Sequence, residues 1–279
     1  MEKILLVINA HKPNVKAISF ACGIARDAGS KLTGVFVENV YFEYIPSSLQ
    51  AIYDEHTVNG FGNALKEPDL VLDTDLSIRI FKEQCEKGNV IYEIYEDKGE
   101  PIQEIIFESR FSDLLIIDPA INFQDREEDV PSHFTKEILL HAECPVLLTP
   151  DEFDEVEEIV CCYDGTASSV YAIKQFIYLF PFYSHRKITI LEVDHKNAEE
   201  FNESRRKLMY LLRCHFCSVH TKDLKGNAEE ELFKYFFKQT GKIIVMGAYG
   251  RGSLSNLFRK STAEMLIRMV DLPLFITHL

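Results

Sequence analysis

An internal repeat is the feature that most constrains how this chain can fold. Lys3-Ile-Leu-Leu-Val-Ile-Asn9 and Glu158-Ile-Val-Cys-Cys-Tyr-Asp164 are short apolar runs that lead into polar turns, and they lie 155 residues apart. Each reads as a strand buried on both faces of a parallel sheet. The correspondence continues down the chain. Helical stretches at 15–28 and 168–180 precede second strands at 31–38 and 187–194, and third strands at 90–99 and 217–226 both end in Lys-Gly. Helices at 102–109 and 228–238 feed fourth strands at 114–118 and 243–247, and Cys144-Pro-Val-Leu-Leu-Thr149 matches Leu272-Pro-Leu-Phe-Ile-Thr277 as the last strand of each half.

Strands alternating with helices at this rhythm predict parallel sheets built from right-handed crossovers. The expected architecture is α/β: two tandem open parallel-sheet domains of about five strands each, over 1–150 and 151–279. The acid-rich stretch 151–158 reads as an exposed linker between them. The halves differ in one place. The second strands are offset by 156 and the third by 127, which leaves 29 extra residues in the first half near 39–69. These include Tyr41, Phe42, Tyr44, Ile45, Leu49, Ile52 and Tyr53, too aromatic for a disordered segment. The insertion is expected to pack on the other domain, on a partner chain or on its own sheet.

Composition narrows the function. With 46% apolar and 27% charged residues the chain has enough material for a substantial core. No apolar run approaches the roughly 18 residues that cross a bilayer, and the start is too short for a signal peptide, so a cytoplasmic protein with no membrane partner is expected. Seven cysteines in no regular framework read as free thiols. The net charge of −14 argues against nucleic acid as a partner. That charge is unevenly spread: residues 1–150 hold 13 bases against 26 acids, while residues 159–279 hold 17 bases against 12 acids.

One constellation in the more basic half suggests chemistry. Gly247-Ala-Tyr-Gly250 follows a strand, and nine residues later Lys260-Ser261-Thr262 opens a helix. In open α/β sheets ligands sit beyond the carboxyl ends of strands, where glycines let backbone amides approach phosphate and a helix N-terminus favours anions. Asp164, at the end of that half's first strand, faces the same crevice. Neither a Walker P-loop nor the Rossmann Gly-x-Gly-x-x-Gly fingerprint is present.

The tandem repeat, Asp164, Leu191-Glu-Val193 and the glycine loop together resemble a two-domain universal stress protein of the UspA-like family, over essentially the whole chain. The resemblance implies Rossmann-like, adenine-nucleotide alpha-hydrolase-like domains. The ATP-binding branch of the family has Gly-x-x-Gly, nine residues, then Gly followed by Ser or Thr. Carried over by position, it implies Asp164 and Val193 for adenosine, Gly247 and Gly250 for ribose and phosphate, and Ser261 for phosphate, with Thr262 adjacent. Lys260 stands where the family has its third glycine. Its Cβ opposes close backbone approach, while its ammonium attracts phosphate.

Each of these residues also has a purely architectural reading. Ser261-Thr-Ala-Glu264 fits a capping box. Asp164 before Gly165 fits an Asx turn or helix cap. The two glycines fit a loop needing positive φ, and Val193 fits a buried strand. The corresponding first-half loop lacks the pattern. Asp118, Pro119 and Ile121 replace the glycines and an amide donor, Asn9 replaces Asp164, and Ser132-His133 stands where Lys260-Ser261 does. From Asp118 to His133 there are five acids and one base, whereas from Gly247 to Ser261 there are three bases and no acid. The first half therefore reads as a degenerate copy that repels phosphate.

Other candidates are weaker. Cys214-His-Phe-Cys217 has redox-like spacing but falls at a helix-to-strand junction, and only His215 and His220 lie near it as further metal ligands. Cys161 and Cys162 read as core. No catalytic residues and no metal site are assigned. The expected function is that of a stress-response factor whose second domain binds ATP or a related adenine nucleotide, with at most slow hydrolysis. The alternative is a tandem protein that binds no nucleotide and acts through dimerisation and an unknown protein partner. The halves are expected to pair with each other as an intramolecular pseudo-dimer, or the chain to form a homodimer.

Overall fold

A computed structural model describes residues 1–38, 74–97, 100–123, 128–153, 155–193, 198–247 and 260–277. In the first half β1 (Lys3–Asn9), α1 (Val15–Ala28), β2 (Lys31–Val37), α2 (Thr74–Gly88), β3 (Tyr92–Asp97), α3 (Pro101–Ser109), β4 (Leu114–Ile117), α4 (His133–His141) and β5 (Val146–Leu148) follow in order. The second half repeats them as β6 (Glu158–Cys162), α5 (Ala167–Leu179), β7 (Lys187–Val193), α6 (Ala198–Arg213), β8 (Ser218–Leu224), α7 (Ala228–Phe236), β9 (Lys242–Gly247), α8 (Lys260–Met269) and β10 (Leu274–Thr277). The insertion expected near 39–69 lies outside the described residues.

All ten strands form one sheet in the order β3-β2-β1-β4-β5-β10-β9-β6-β7-β8. Every pairing is parallel except the central one, where β5 and β10 run antiparallel with Leu147 opposite Phe275. The two halves are thus mirror-ordered about that junction, paired through their last strands as two separate subunits could be.

Alternation along the strands divides the core into two layers. Ile4, Leu6, Ile8 and Phe275 face one side, with Ile18 of α1, Phe81 of α2, Phe176 of α5 and Leu212 of α6. Leu5, Val7, Leu274 and Ile276 face the other, with Ile105 of α3, Ile138 of α4, Leu232 of α7 and Leu266 of α8. The inner strands such as β1, β4, β6 and β10 are apolar at consecutive positions because both faces are covered, whereas the edge strands β3 and β8 carry polar and exposed residues. The helices start where the sequence supplies caps: Asn14 for α1, Ser132 for α4, Thr166 for α5 and Asn227 for α7 each accept from a backbone amide of the first turn.

The linker expectation needs correcting at one end. Asp151, Glu152, Glu155 and Glu157 are exposed, but Phe153 packs edge-on against Phe20 and Val156 is buried. Glu158 is the first residue of β6 and is itself buried. It receives a hydrogen bond from Thr189 and ion pairs from Lys187 at 2.9 Å and from Lys242. Burial pushes its carboxyl up, but the hydrogen bonds from Lys187, Lys242 and Thr189 outweigh this and hold it at about 2. A charge run read as solvated linker therefore ends in a paired buried carboxylate.

Candidate functional site

The chain direction across the sheet creates a switch point in each half, because β1 and β4, like β6 and β9, are neighbours whose following connections diverge. In the second half this places Asp164, just past β6, beside Gly247, the last residue of β9. Asp164 Oδ1 accepts from the Thr166 amide at 3.0 Å and from the Thr166 hydroxyl at 2.6 Å, so the Asx turn anticipated at this position is present, with Gly165 at a φ of +80°. Asp164 Oδ2 makes no hydrogen bond among the described residues. Thr166 in turn caps α5 by accepting from the Ser169 amide at 3.3 Å.

Gly247 is required for a different reason from the positive φ expected of a loop glycine. A Cβ built on it would lie 2.7 Å from the Ser169 amide nitrogen and closer still to the Ser168 carbonyl. The end of β9 thus runs directly against the first turn of α5. Ser168 Oγ is shielded there from solvent and has no hydrogen-bond partner among the described residues. The positive end of the α5 dipole opens onto the same place. The free carboxylate oxygen of Asp164 and the N-terminus of α5 thus lie together past the ends of β6 and β9, an acceptor for a hydroxyl beside a helix end that favours an anion.

The remaining candidates divide. Val193 ends β7, next to β6, but its side chain is buried in the core layer with Leu191 and Met246. Gly250 lies outside the described residues. Lys260 opens α8 and Ser261 is its second residue, two positions past where a capping residue stands; their side chains are outside the described residues. Thr262 is 2% exposed and belongs to the core side of α8. Thr166 and Ser168 were not anticipated as site residues. The signal was present, since Thr after Asp-Gly and before an apolar-periodic stretch is a helix start.

The first-half crevice is filled by its own side chains. Asn9 is 9% exposed, and its amide donates to the Asn122 carbonyl at 2.7 Å while its Oδ1 accepts from the His11 and Lys12 amides. Asn14 caps α1 and donates to Asp118 Oδ2 at 2.7 Å, and Asp118 Oδ1 accepts from the Ala120 amide at 2.8 Å. Ser132 Oγ donates to the Ile121 carbonyl and accepts from the Thr135 amide. A carboxylate therefore occupies the helix N-terminus that would otherwise attract an anion.

A polar cluster lies under α6. Glu192 of β7 is 1% exposed and pairs with Arg205 at 3.2 Å, and Arg205 also reaches Asp223 of β8 at 3.3 Å. Burial pushes the Glu192 carboxyl up, partly offset by Arg205 and reinforced by Asp223, to about 7. Beside it the Tyr163 hydroxyl bonds Ser204 at 2.7 Å, and the Phe201 ring lies 5.4 Å from the Tyr163 ring. Among the described residues no group of His, Cys, Asp and Glu is placed to hold a metal ion, and no helix is long and apolar enough to cross a membrane. Cys161 and Cys162 are buried, and Cys214 and Cys217 are exposed.

No protein-family model matches the chain, and no curated protein does. Solved structures do. A universal stress protein from Archaeoglobus fulgidus superposes with a TM-score of 0.71 at 14% identity, covering 99% of this chain and 98% of that one. A protein of unknown function from Pseudomonas aeruginosa gives 0.56 at 14% identity, covering 100% and 92%. The cytoplasmic domain of a prokaryotic cation chloride cotransporter gives 0.50 at 12% identity, covering 99% and 94%. Over its whole length, the chain has the fold of a universal stress protein.

Proposed function

We propose that the chain is a tandem universal stress protein of the cytoplasm, with domains at 1–150 and 151–279, whose second domain binds ATP or a related adenine nucleotide. The observation that carries this reading is the asymmetry of the two crevices. In the first, Asn9, Asn14, Asp118 and Ser132 satisfy one another and the surrounding backbone. In the second, Asp164 Oδ1 is held at the start of α5 by Thr166, while its Oδ2 has no hydrogen-bond partner among the described residues. Asp164 would take ribose hydroxyls, the α5 terminus and the basic 247–261 loop would take phosphate, and Lys260 and Ser261 would meet it from the start of α8. The first domain is then a structural or regulatory copy. The role proposed is sensing by binding.

Calorimetry tests the reading. Denaturing the purified protein and analysing what is released, then titrating the stripped protein with ATP, ADP and AMP, should show one site per chain. No released nucleotide together with no heat at sub-millimolar concentrations would sink it. A second reading, in which the fold works only through contacts with a protein partner, is favoured by Lys260 at the position of the family's third glycine. Lys260→Gly separates the two: it strengthens ATP binding if the Cβ is an obstacle, weakens it if the ammonium holds phosphate, and does nothing if no nucleotide binds.

A further inference from the structure

The first half holds a pair of thiols that neither the nucleotide reading nor the architecture requires. Cys22 lies on the inner face of α1 and Cys85 on the inner face of α2, with their sulfurs 3.7 Å apart. Among the described residues this is the one contact between two cysteine sulfurs. Packing does not demand it: at the offset of 127 that aligns the third strands, the counterpart of Cys85 is Leu212, equally buried.

We propose that Cys22 and Cys85 form a reversible redox site, oxidised by a hydroperoxide to a disulfide that ties α1 to α2. The bond needs a sulfur separation of about 2 Å, an approach that rotation about two χ1 angles can supply when the helices already face each other. The two cysteines also have distinct parts. Cys22 is 4% exposed and Cys85 fully buried, so Cys22 is the less enclosed residue of the two and is assigned the first reaction with the oxidant. The hydrogen bond from Cys85 holds the Cys22 thiol below its ordinary range against the opposing effect of burial, and Arg26, one turn along α1, adds to this. The same bond pushes Cys85 up. By contrast, burial pushes Cys144, Cys161 and Cys162 up, and these behave as inert core thiols.

The chemistry balances with the peroxide as sole oxidant. The Cys22 thiolate attacks one peroxide oxygen, the O–O bond breaks, and the departing oxygen leaves as water after taking up protons, with Cys22 now a sulfenic acid. The Cys85 sulfur then attacks the Cys22 sulfur and expels hydroxide, which carries off the Cys85 proton as a second water. Two thiols have lost two electrons and hydrogen peroxide has become two waters. Reaching the pair requires a local opening beside α2, and so small an oxidant needs little of it.

The test uses the full, reduced, folded chain. After brief treatment with two equivalents of hydrogen peroxide, alkylation and digestion, mass spectrometry should find the Cys22 peptide linked to the Cys85 peptide, lighter by two hydrogens and separated by dithiothreitol. The link should form in equal yield in a Cys214→Ser, Cys217→Ser double variant, which lacks the exposed pair. In Cys85→Ser, which keeps a hydrogen-bond donor beside Cys22 but no second thiol, Cys22 should stop at the sulfenic acid and be trapped by dimedone. Unmodified Cys22 in the wild-type protein after oxidation of Cys214 and Cys217, or Cys22 linked only between chains, would overturn the proposal, whatever the variants do.

Discussion

The side-chain amide of Asn14 donates to the Asp118 carboxylate at 2.7 Å, and this bond places a negative charge over the N-terminus of α1. Asn14→Ala removes it and also the two cap bonds to the Lys16 and Ala17 amides. The expected cost is about 1–2 kcal/mol in urea unfolding. ATP titration of the variant should give the same heat per chain as the wild-type protein, because Asp118 still repels phosphate. A new binding site in Asn14→Ala would show that the first crevice is blocked by that latch alone.

The complementary pair of substitutions locates the proposed nucleotide. Asp164→Ala removes the carboxylate at the ends of β6 and β9 and should weaken ATP by about tenfold or more, the loss of one charge-assisted hydrogen bond. Asn9→Ala loses its bonds to Asn122, His11 and Lys12 and should cost stability, yet leave the affinity unchanged. Equal losses of affinity from the two would move the site out of the second half.

Gly247→Ala is expected to unfold the second half before it reports on binding. The added Cβ meets the backbone of Ser168 and Ser169, which cannot swing aside as a side chain would. A loss of at least about 2 kcal/mol in urea unfolding is expected, the scale of overpacking a closed core. A variant as stable as the wild-type protein would show that β9 and α5 do not meet as described.

This position marks what the sequence can and cannot convey. The strands were legible because both faces of a parallel sheet are covered, so β1 and its partner β6 appear as unbroken apolar runs. α1 was legible as a helical stretch at 15–28 after a polar turn, although its cap, Asn14, was not anticipated. The reason for Gly247 was not, since it depends on a helix 80 residues earlier in the chain lying across the strand end. Glu158 was hidden in a run of acids because its partners, Lys187 and Lys242, belong to neighbouring strands. Glu192 sat unremarked in an apolar strand for the same reason: Arg205 reaches it from α6.

Two buried glutamates of the second half should give opposite pH dependences. Glu158, held at about 2, stabilises the fold above its ordinary 4.5 and loses this as pH falls toward 2. Glu192 is raised to about 7, so its favourable neutral form is fully available below 4.5, and stability falls as pH rises through 7. Between those limits the term amounts to at most about 3 kcal/mol. Glu192→Gln keeps the neutral shape and should flatten the melting temperature between about pH 4.5 and 7, the window this titration spans. Parallel curves for variant and wild-type protein would remove Glu192 as the titrating group.

The junction between the halves yields the last expectation. β5 and β10 meet antiparallel, with Leu147 opposite Phe275, and Phe275 is buried edge-on against Phe176 at 5.4 Å and Phe180 at 5.7 Å. Arg268 of α8 also reaches across to Asp129 at 3.4 Å. Producing residues 1–150 or 151–279 alone would bare this strand edge and the apolar side chains behind it, a template for self-association. Each half by itself should therefore dimerise or aggregate, whereas the two halves made together should elute as one complex with the 32.1 kDa mass of the intact chain. Sedimentation of the intact protein at that mass would mean the pairing is satisfied within one chain. Co-produced halves that sediment as two independent monomers would show that the β5–β10 junction contributes little to holding the sheet together.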